Sequence, residues 1–193
     1  MNTNTLIIHP KDQTTTFLND VYANIEKKTV IQNGLSREEL IDLMKTHDRI
    51  MMMGHGSPYG LFSVGQFVKT PMYLIDKEIA GILEMKKNYI FIWCYASSFM
   101  ESLSLSGFGT GMFISEVDEA IVCGLDDINQ EMVDESNWLF VNEISKYINL
   151  NTSAIYEKMI EGDYQRLAEI NPVAKYNFER LYYGDQIRIN QVN

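Results

Sequence analysis

Five short apolar runs, separated by stretches of helical periodicity, constrain the fold of this chain more than any other feature. They are Thr5–His9, Thr29–Gln32, Arg49–Met53, Tyr89–Cys94 and Ala120–Leu125. Each has the length of a strand, and Ile50–Met53 and Tyr89–Cys94 are apolar at both parities. A strand apolar on both faces must be covered on both, as in a parallel sheet flanked by helices. Between the runs, Phe17, Leu18, Val21, Tyr22 and Ile25 recur at helical spacing. Ser36 caps a second helix, with Glu38 and Glu39 in its first turn and Leu40, Ile41, Leu43 and Met44 on its apolar side. Tyr59 to Val68 reads as a small hairpin excursion. Lys77–Met85, Ser97–Leu105 and a long segment from Asn129 to Tyr147 read as further helices, and Gly107, Gly109 and Gly111 as a loop. Strand–helix alternation with right-handed crossovers predicts an α/β fold, a three-layer α/β/α sandwich with a mostly parallel central sheet. The 193 residues suit one domain. Residues 1–150 would form its core. Residues 151–193 would form a C-terminal helical extension, broken near Asn171-Pro172, with Arg188–Val192 as a candidate edge strand.

Charge narrows the partners. Sixteen Lys and Arg stand against 26 Asp and Glu, a net charge of −10. Such a chain repels phosphate backbones and anionic membranes and attracts basic groups. The expected partner is therefore a basic substrate or protein, with no nucleic acid and no membrane; self-association is left open. Two cysteines are too few for a disulfide scaffold. Met1–Pro10 carries no basic start and no long apolar stretch, and the apolar runs fall well short of the ~20 residues of a membrane span. These features point to a reducing, cytoplasmic setting. Gly107-Phe108-Gly109-Thr110-Gly111 lacks the spacing of a phosphate-cradling loop, and no metal-ligand spacing is visible. No cofactor and no metal are expected.

In open α/β sheets ligands bind beyond the carboxyl ends of the strands. The polar residues expected there are His9, His55, Cys94 and the pair Asp126/Asp127. His55 ends one apolar run between Gly54 and Gly56. Cys94 ends the next, 39 residues on, and is followed by Ala96, Ser97 and Ser98. On adjacent parallel strands the two side chains would emerge together. A thiol needs a base to become a nucleophile, and an imidazole can take and return the proton. A helix starting just after Cys94 would favour the thiolate. Gly56 leaves its N–H uncovered, so the Gly56 and Cys94 amides could form an oxyanion hole. His9 is expected to be structural, Cys123 to be core, and His47 to be solvated in a loop.

The run RIMMMGHG, followed about forty residues later by YIFIWCYASS, resembles the caspase–hemoglobinase superfamily (clan CD) of cysteine peptidases. That group includes caspases, legumains, gingipains, separases and CHAT-domain peptidases. The intervening GLFSVGQFVKT and EIAGIL are similar to the segment those proteins place between their dyad residues. The resemblance covers roughly residues 5 to 147. It implies a caspase-like fold, His55 as catalytic histidine, Cys94 as nucleophile and Gly56 as oxyanion donor. Caspases proper carry Gln-Ala-Cys with a glycine two positions later. Here Ile92-Trp93-Cys94-Tyr95-Ala96 precedes Ser97-Ser98, which is closer to legumain or CHAT members. The resemblance also implies that the strand after the nucleophile's helix borders the specificity pocket. Asp126 and Asp127 would then meet a basic side chain, with Glu116 and Asp118 as weaker acidic candidates. The expected function is a cysteine endopeptidase cleaving a protein or peptide substrate after a basic residue. The rival expectation is a catalytically silent caspase-like binding or scaffolding module.

Overall fold

Side-chain parity in the apolar runs sets the layers. β1 (Thr5–Ile8), β2 (Lys28–Ile31) and β3 (Arg49–Met53) are parallel neighbours, with Ile7 opposite both Val30 and Met51. A short antiparallel sheet follows, made of β4 (Gly56–Ser57), β5 (Gly60–Phe62) and β6 (Tyr73–Ile75). β7 (Tyr89–Ile92) then returns to the main sheet parallel to β3, with Met53 opposite Ile92. β8 (Gly107–Thr110) adds a further parallel strand, and β9 (Leu181–Gly184) closes the edge antiparallel to it. The order β2-β1-β3-β7-β8-β9 makes an α/β fold around a mostly parallel six-stranded sheet. These statements rest on a computed structural model that describes residues 3–64, 72–83 and 88–184.

Alternate residues feed two cores. Leu6, Ile8, Ile50, Met52, Tyr89, Phe91 and Trp93 pack with α1 (Arg37–Thr46), α2 (Ala80–Leu83) and α3 (Ala96–Ser102) on one face. Ile7, Met51, Met53, Ile90, Ile92 and Phe108 face the other way. They meet the 3-10 helix Thr16–Tyr22, α5 (Gln130–Tyr147), α6 (Thr152–Glu161), α7 (Asp163–Ala168) and Ala174 of α8 (Pro172–Phe178). Ser36 caps α1 through a complete capping box with Glu39, and Asn129 caps α5 by accepting from the Met132 amide.

Several expectations are corrected. The glycine segment is not a loop but strand β8. A Cβ on Gly109 would lie 2.5 Å from Met100 Sδ, and one on Gly107 2.4 Å from Tyr89 O. Helix α3 and strand β7 approach so closely that only glycine fits, so the usual β-branched signal is missing. Conversely, Ala120–Leu125 is not a strand. Ala120–Val122 lies in α4 (Val117–Val122), and the inward Val117, Ala120 and the cap Cys123 recur every three residues after Ile114. Ile121 and Val122 face solvent, 63% and 85% exposed, which a central strand would forbid. The helix expected over Phe17–Ile25 is instead the 3-10 helix Thr16–Tyr22, with Ile25 beyond its end. His47 is not solvated: it is buried between Leu43 O at 2.8 Å and Thr29 Oγ1 at 2.9 Å. The edge strand falls at β9, and Arg188–Val192 lies outside the described residues. Among the described residues no helix is long and apolar enough to cross a membrane.

Candidate active site

Register brings His55 and Cys94 together. Met53 and Ile92 are opposite each other on β3 and β7, and Gly54 N donates to Ile92 O at 3.0 Å. His55 and Cys94 each lie two residues further on, with the same parity. They line one cavity of about 20 Å³ with Phe17, Leu18, Phe113 and Ser115. That is room for about one water molecule.

His55 is oriented through Nε2. Nε2 lies 2.6 Å from Thr14 Oγ1 and 3.5 Å from Asp12 Oδ1. Thr14 Oγ1 is also 2.6 Å from Asp12 Oδ1, whose carboxylate can only accept. The hydroxyl therefore donates to Asp12 and accepts from Nε2–H. In the neutral ring this leaves Nδ1 unprotonated and available as a base. The Thr14 hydroxyl and amide, with His55 adding to them, hold the Asp12 carboxyl below its usual range. Sequence reasoning missed Asp12 and Thr14. Asp-x-Thr is a local turn signal only, and its link to a residue 41 positions away is tertiary.

Cys94 departs from the expected thiolate. Its Sγ donates to Phe113 O at 3.3 Å and lies 4.0 Å from Glu119 Oε1. Burial of the sulfur, then the Glu119 charge, push the thiol up to about 12. The resting group is a protonated thiol. Glu119 is fixed by accepting from the Ser115 and Glu116 amides at 2.7 and 3.2 Å. Directly after the thiol, Tyr95 adopts φ 67, a left-handed conformation uncommon for a bulky residue. Strand, sharp turn and helix follow one another there, with Ala96 N closing onto Trp93 O at 3.1 Å.

Gly56 sits under Trp93, whose Nε1 donates to Ser57 O at 3.2 Å. A Cβ on Gly56 would lie 2.2 Å from Trp93 Cδ1 and 2.7 Å from Gly60 O. Because Phe62 N donates to His55 O, Gly56 occupies a non-hydrogen-bonded position of the β4–β5 pair, and its N–H points away from β5. Gly56→Ala is expected to destabilise the protein by about 1–3 kcal/mol through overpacking against Trp93. Urea unfolding midpoints with an unchanged slope measure the loss.

Asp126 and Asp127 do not join this site. With α4 in place of the expected strand, they sit in the exposed connection between α4 and α5, Asp127 at φ 60. They line neither the cavity nor the cleft beside it. That cleft, of about 430 Å³, shares Phe17 and Ser115 with the cavity. Asp20, Glu116 and Asp134 supply its carboxylates and Trp138, 62% exposed, an aromatic wall. Asn137 is buried in the same wall. Its Nδ2 donates to Ser115 O at 3.1 Å, and its Oδ1 has no donor. An orphan acceptor among carboxylates suits a cationic or N–H-rich group.

His9, at the end of β1, is 2% exposed, 3.1 Å from Tyr22 Oη and 3.3 Å from Thr15 Oγ1. Burial lowers it to about 4, so it is a neutral structural residue. Cys123 is the C-terminal cap of α4 and packs with Ile114 and Tyr176. Among the described residues no three His, Cys, Asp or Glu side chains converge as metal ligands do. No protein-family model matches the chain, and no curated protein matches it either.

Proposed function

We propose that this protein is a cysteine endopeptidase with a caspase-like fold, using His55 and Cys94 as a dyad. The observation that carries the reading is the shared cavity at the carboxyl ends of β3 and β7, lined by an oriented imidazole and a thiol. Substrate enters through the acidic cleft. His55 Nδ1 takes the Cys94 proton as Sγ attacks the scissile carbonyl carbon, and the oxyanion meets the Gly56 and Cys94 amides. His55 then returns the proton to the leaving amine, giving a thioester. Water, deprotonated by His55, cleaves the thioester and regenerates the thiol. Because the resting thiol is held protonated, the proton transfer belongs to the substrate-bound state.

The preference for a basic side chain passes from Asp126 and Asp127 to Asp20, Glu116 and Asp134, with Asn137 Oδ1 as acceptor and Trp138 as a cation–π wall. One charge-assisted contact of this kind is worth roughly 1.5–3 kcal/mol, about 10- to 150-fold. Fluorogenic peptides differing only at P1 are expected to be cleaved faster after Arg or Lys than after Asp or Asn by that factor. Faster cleavage after Asp overturns the preference.

A second reading, a silent binding module, is favoured by the raised thiol and the tight cavity. A peptidyl electrophile carrying Arg separates the two. The peptidase reading expects a covalent adduct on Cys94, formed faster than with iodoacetamide. An unmodified Cys94 after prolonged incubation supports the binding module.

A further inference from the structure

Arg49 opens β3 at the end of the sheet opposite His55 and Cys94, and it is 5% exposed. Its guanidinium has no anionic partner among the described residues. Nη1 reaches Leu150 O at 3.5 Å, Nη2 meets Met51 Sδ at 3.3 Å, and Nε is buried with no hydrogen-bond partner. The nearby Asp48 carboxylate is engaged by the Asn4 amide. Burial lowers Arg49 only to about 10, so the charge persists at neutral pH. A buried cation left with neutral, long contacts is a poor solution for folding alone, because desolvation is not offset by a counter-charge.

A cleft of about 180 Å³ opens onto this residue, walled by Thr5, Asn24, Lys27 and Asn149. Lys27 is exposed at the rim beside Glu26, and Thr5 is buried at the base. We propose that this cleft is a binding site for a small oxyanion, a carboxylate or a phosphate group, with Arg49 at its base and Lys27 at its mouth. The guanidinium, met only by the neutral Leu150 O and Met51 Sδ, supplies an uncompensated charge whose planar fork suits the paired oxygens of either group. The volume accommodates an anion of that size with a short organic stem. The site lies away from the dyad, so the proposal stands whether or not the protein is a peptidase.

The test is thermal unfolding and calorimetric titration of the full chain with inorganic phosphate and with succinate, at constant ionic strength set by chloride. The expected result is a saturable rise in Tm with one or both oxyanions, as mass action requires of a ligand bound only to the folded state. Which anion saturates at lower concentration distinguishes phosphate from carboxylate. Lys27→Gln, an exposed change, is expected to weaken the apparent affinity several-fold. Arg49→Met is expected to abolish the saturable rise. If Arg49→Met does not fold, Lys27→Gln decides. An identical response to chloride, or saturation unaffected by Lys27→Gln, overturns the proposal.

Discussion

Removal of the His55 imidazole is expected to lower turnover by about 10²- to 10⁴-fold, the usual contribution of a positioned general acid–base. Cys94→Ala is expected to remove the covalent route altogether. Both variants should keep the fold. His55 is partly exposed, and its bonds run to Thr14 and Asp12 at the surface. Cys94 donates only to one carbonyl, with Glu119 at 4.0 Å. Asp12→Asn should act less strongly, by loosening the ring rather than deleting it. It should lower kcat, because the Asp12 carboxylate accepts from the Thr14 hydroxyl that holds Nε2. Steady-state hydrolysis of an Arg-containing peptide, beside unfolding curves for each variant, gives the answer. Wild-type turnover in folded His55→Ala would remove His55 from the mechanism, and the peptidase reading with it.

The juxtaposition of His55 and Cys94 was legible in the sequence because it depends on two local facts. Each residue ends an apolar run, and neighbouring parallel strands bring their ends to the same edge. The rest of the site was not legible, for two physical reasons. First, side-chain character misreports a strand when packing demands glycine. β8 contains Gly107 and Gly109 because Met100 and Tyr89 occupy the space of a side chain. Once β8 is missed, the next apolar run is promoted to a strand, and Asp126 and Asp127 are carried to a sheet edge they do not occupy. The spacing of Val117, Ala120 and Cys123, with Glu119 three residues after Glu116, was the signal for α4. Second, the partners of the dyad come from elements remote in sequence. Asp12 and Thr14 precede the 3-10 helix, Glu119 lies on α4, and Asp134, Asn137 and Trp138 lie on α5. No spacing rule links them. The net charge of −10 gave no sign of which carboxylates, Asp20, Glu116 and Asp134, would share one cleft.

Below pH 6.5 the protein is expected to lose stability in a way traceable to one residue. His9 is buried beside Tyr22 and Thr15, and burial lowers it from 6.5 to about 4. Tyr22 Oη donates to Asn19 Oδ1 at 2.5 Å, so it accepts from His9 Nδ1–H, and Nε2 accepts from the Thr15 hydroxyl. The neutral ring is thereby satisfied at both nitrogens, and its burial outweighs the Thr15 backbone and Asn19 contacts that favour a second ring proton. Between about pH 4 and 6.5 the unfolded chain carries a proton that the native state refuses. Unfolding then takes up a proton, and acid favours the unfolded state. The contribution is complete above pH 6.5, falls as the pH drops through that window, and is exhausted below about 4. The gap between 6.5 and about 4 is worth about 3 kcal/mol. His9→Gln, which cannot titrate, should show a lower stability at pH 7 but a flatter profile between pH 6.5 and 4. Asp12 and Glu39, held below their usual range, lose their contributions only further into acid, below their unfolded values, and do so equally in both proteins. Urea unfolding at half-unit pH steps isolates the difference. Parallel profiles for the two proteins would show that His9 is protonated in the native state, contrary to its buried hydrogen-bond pattern.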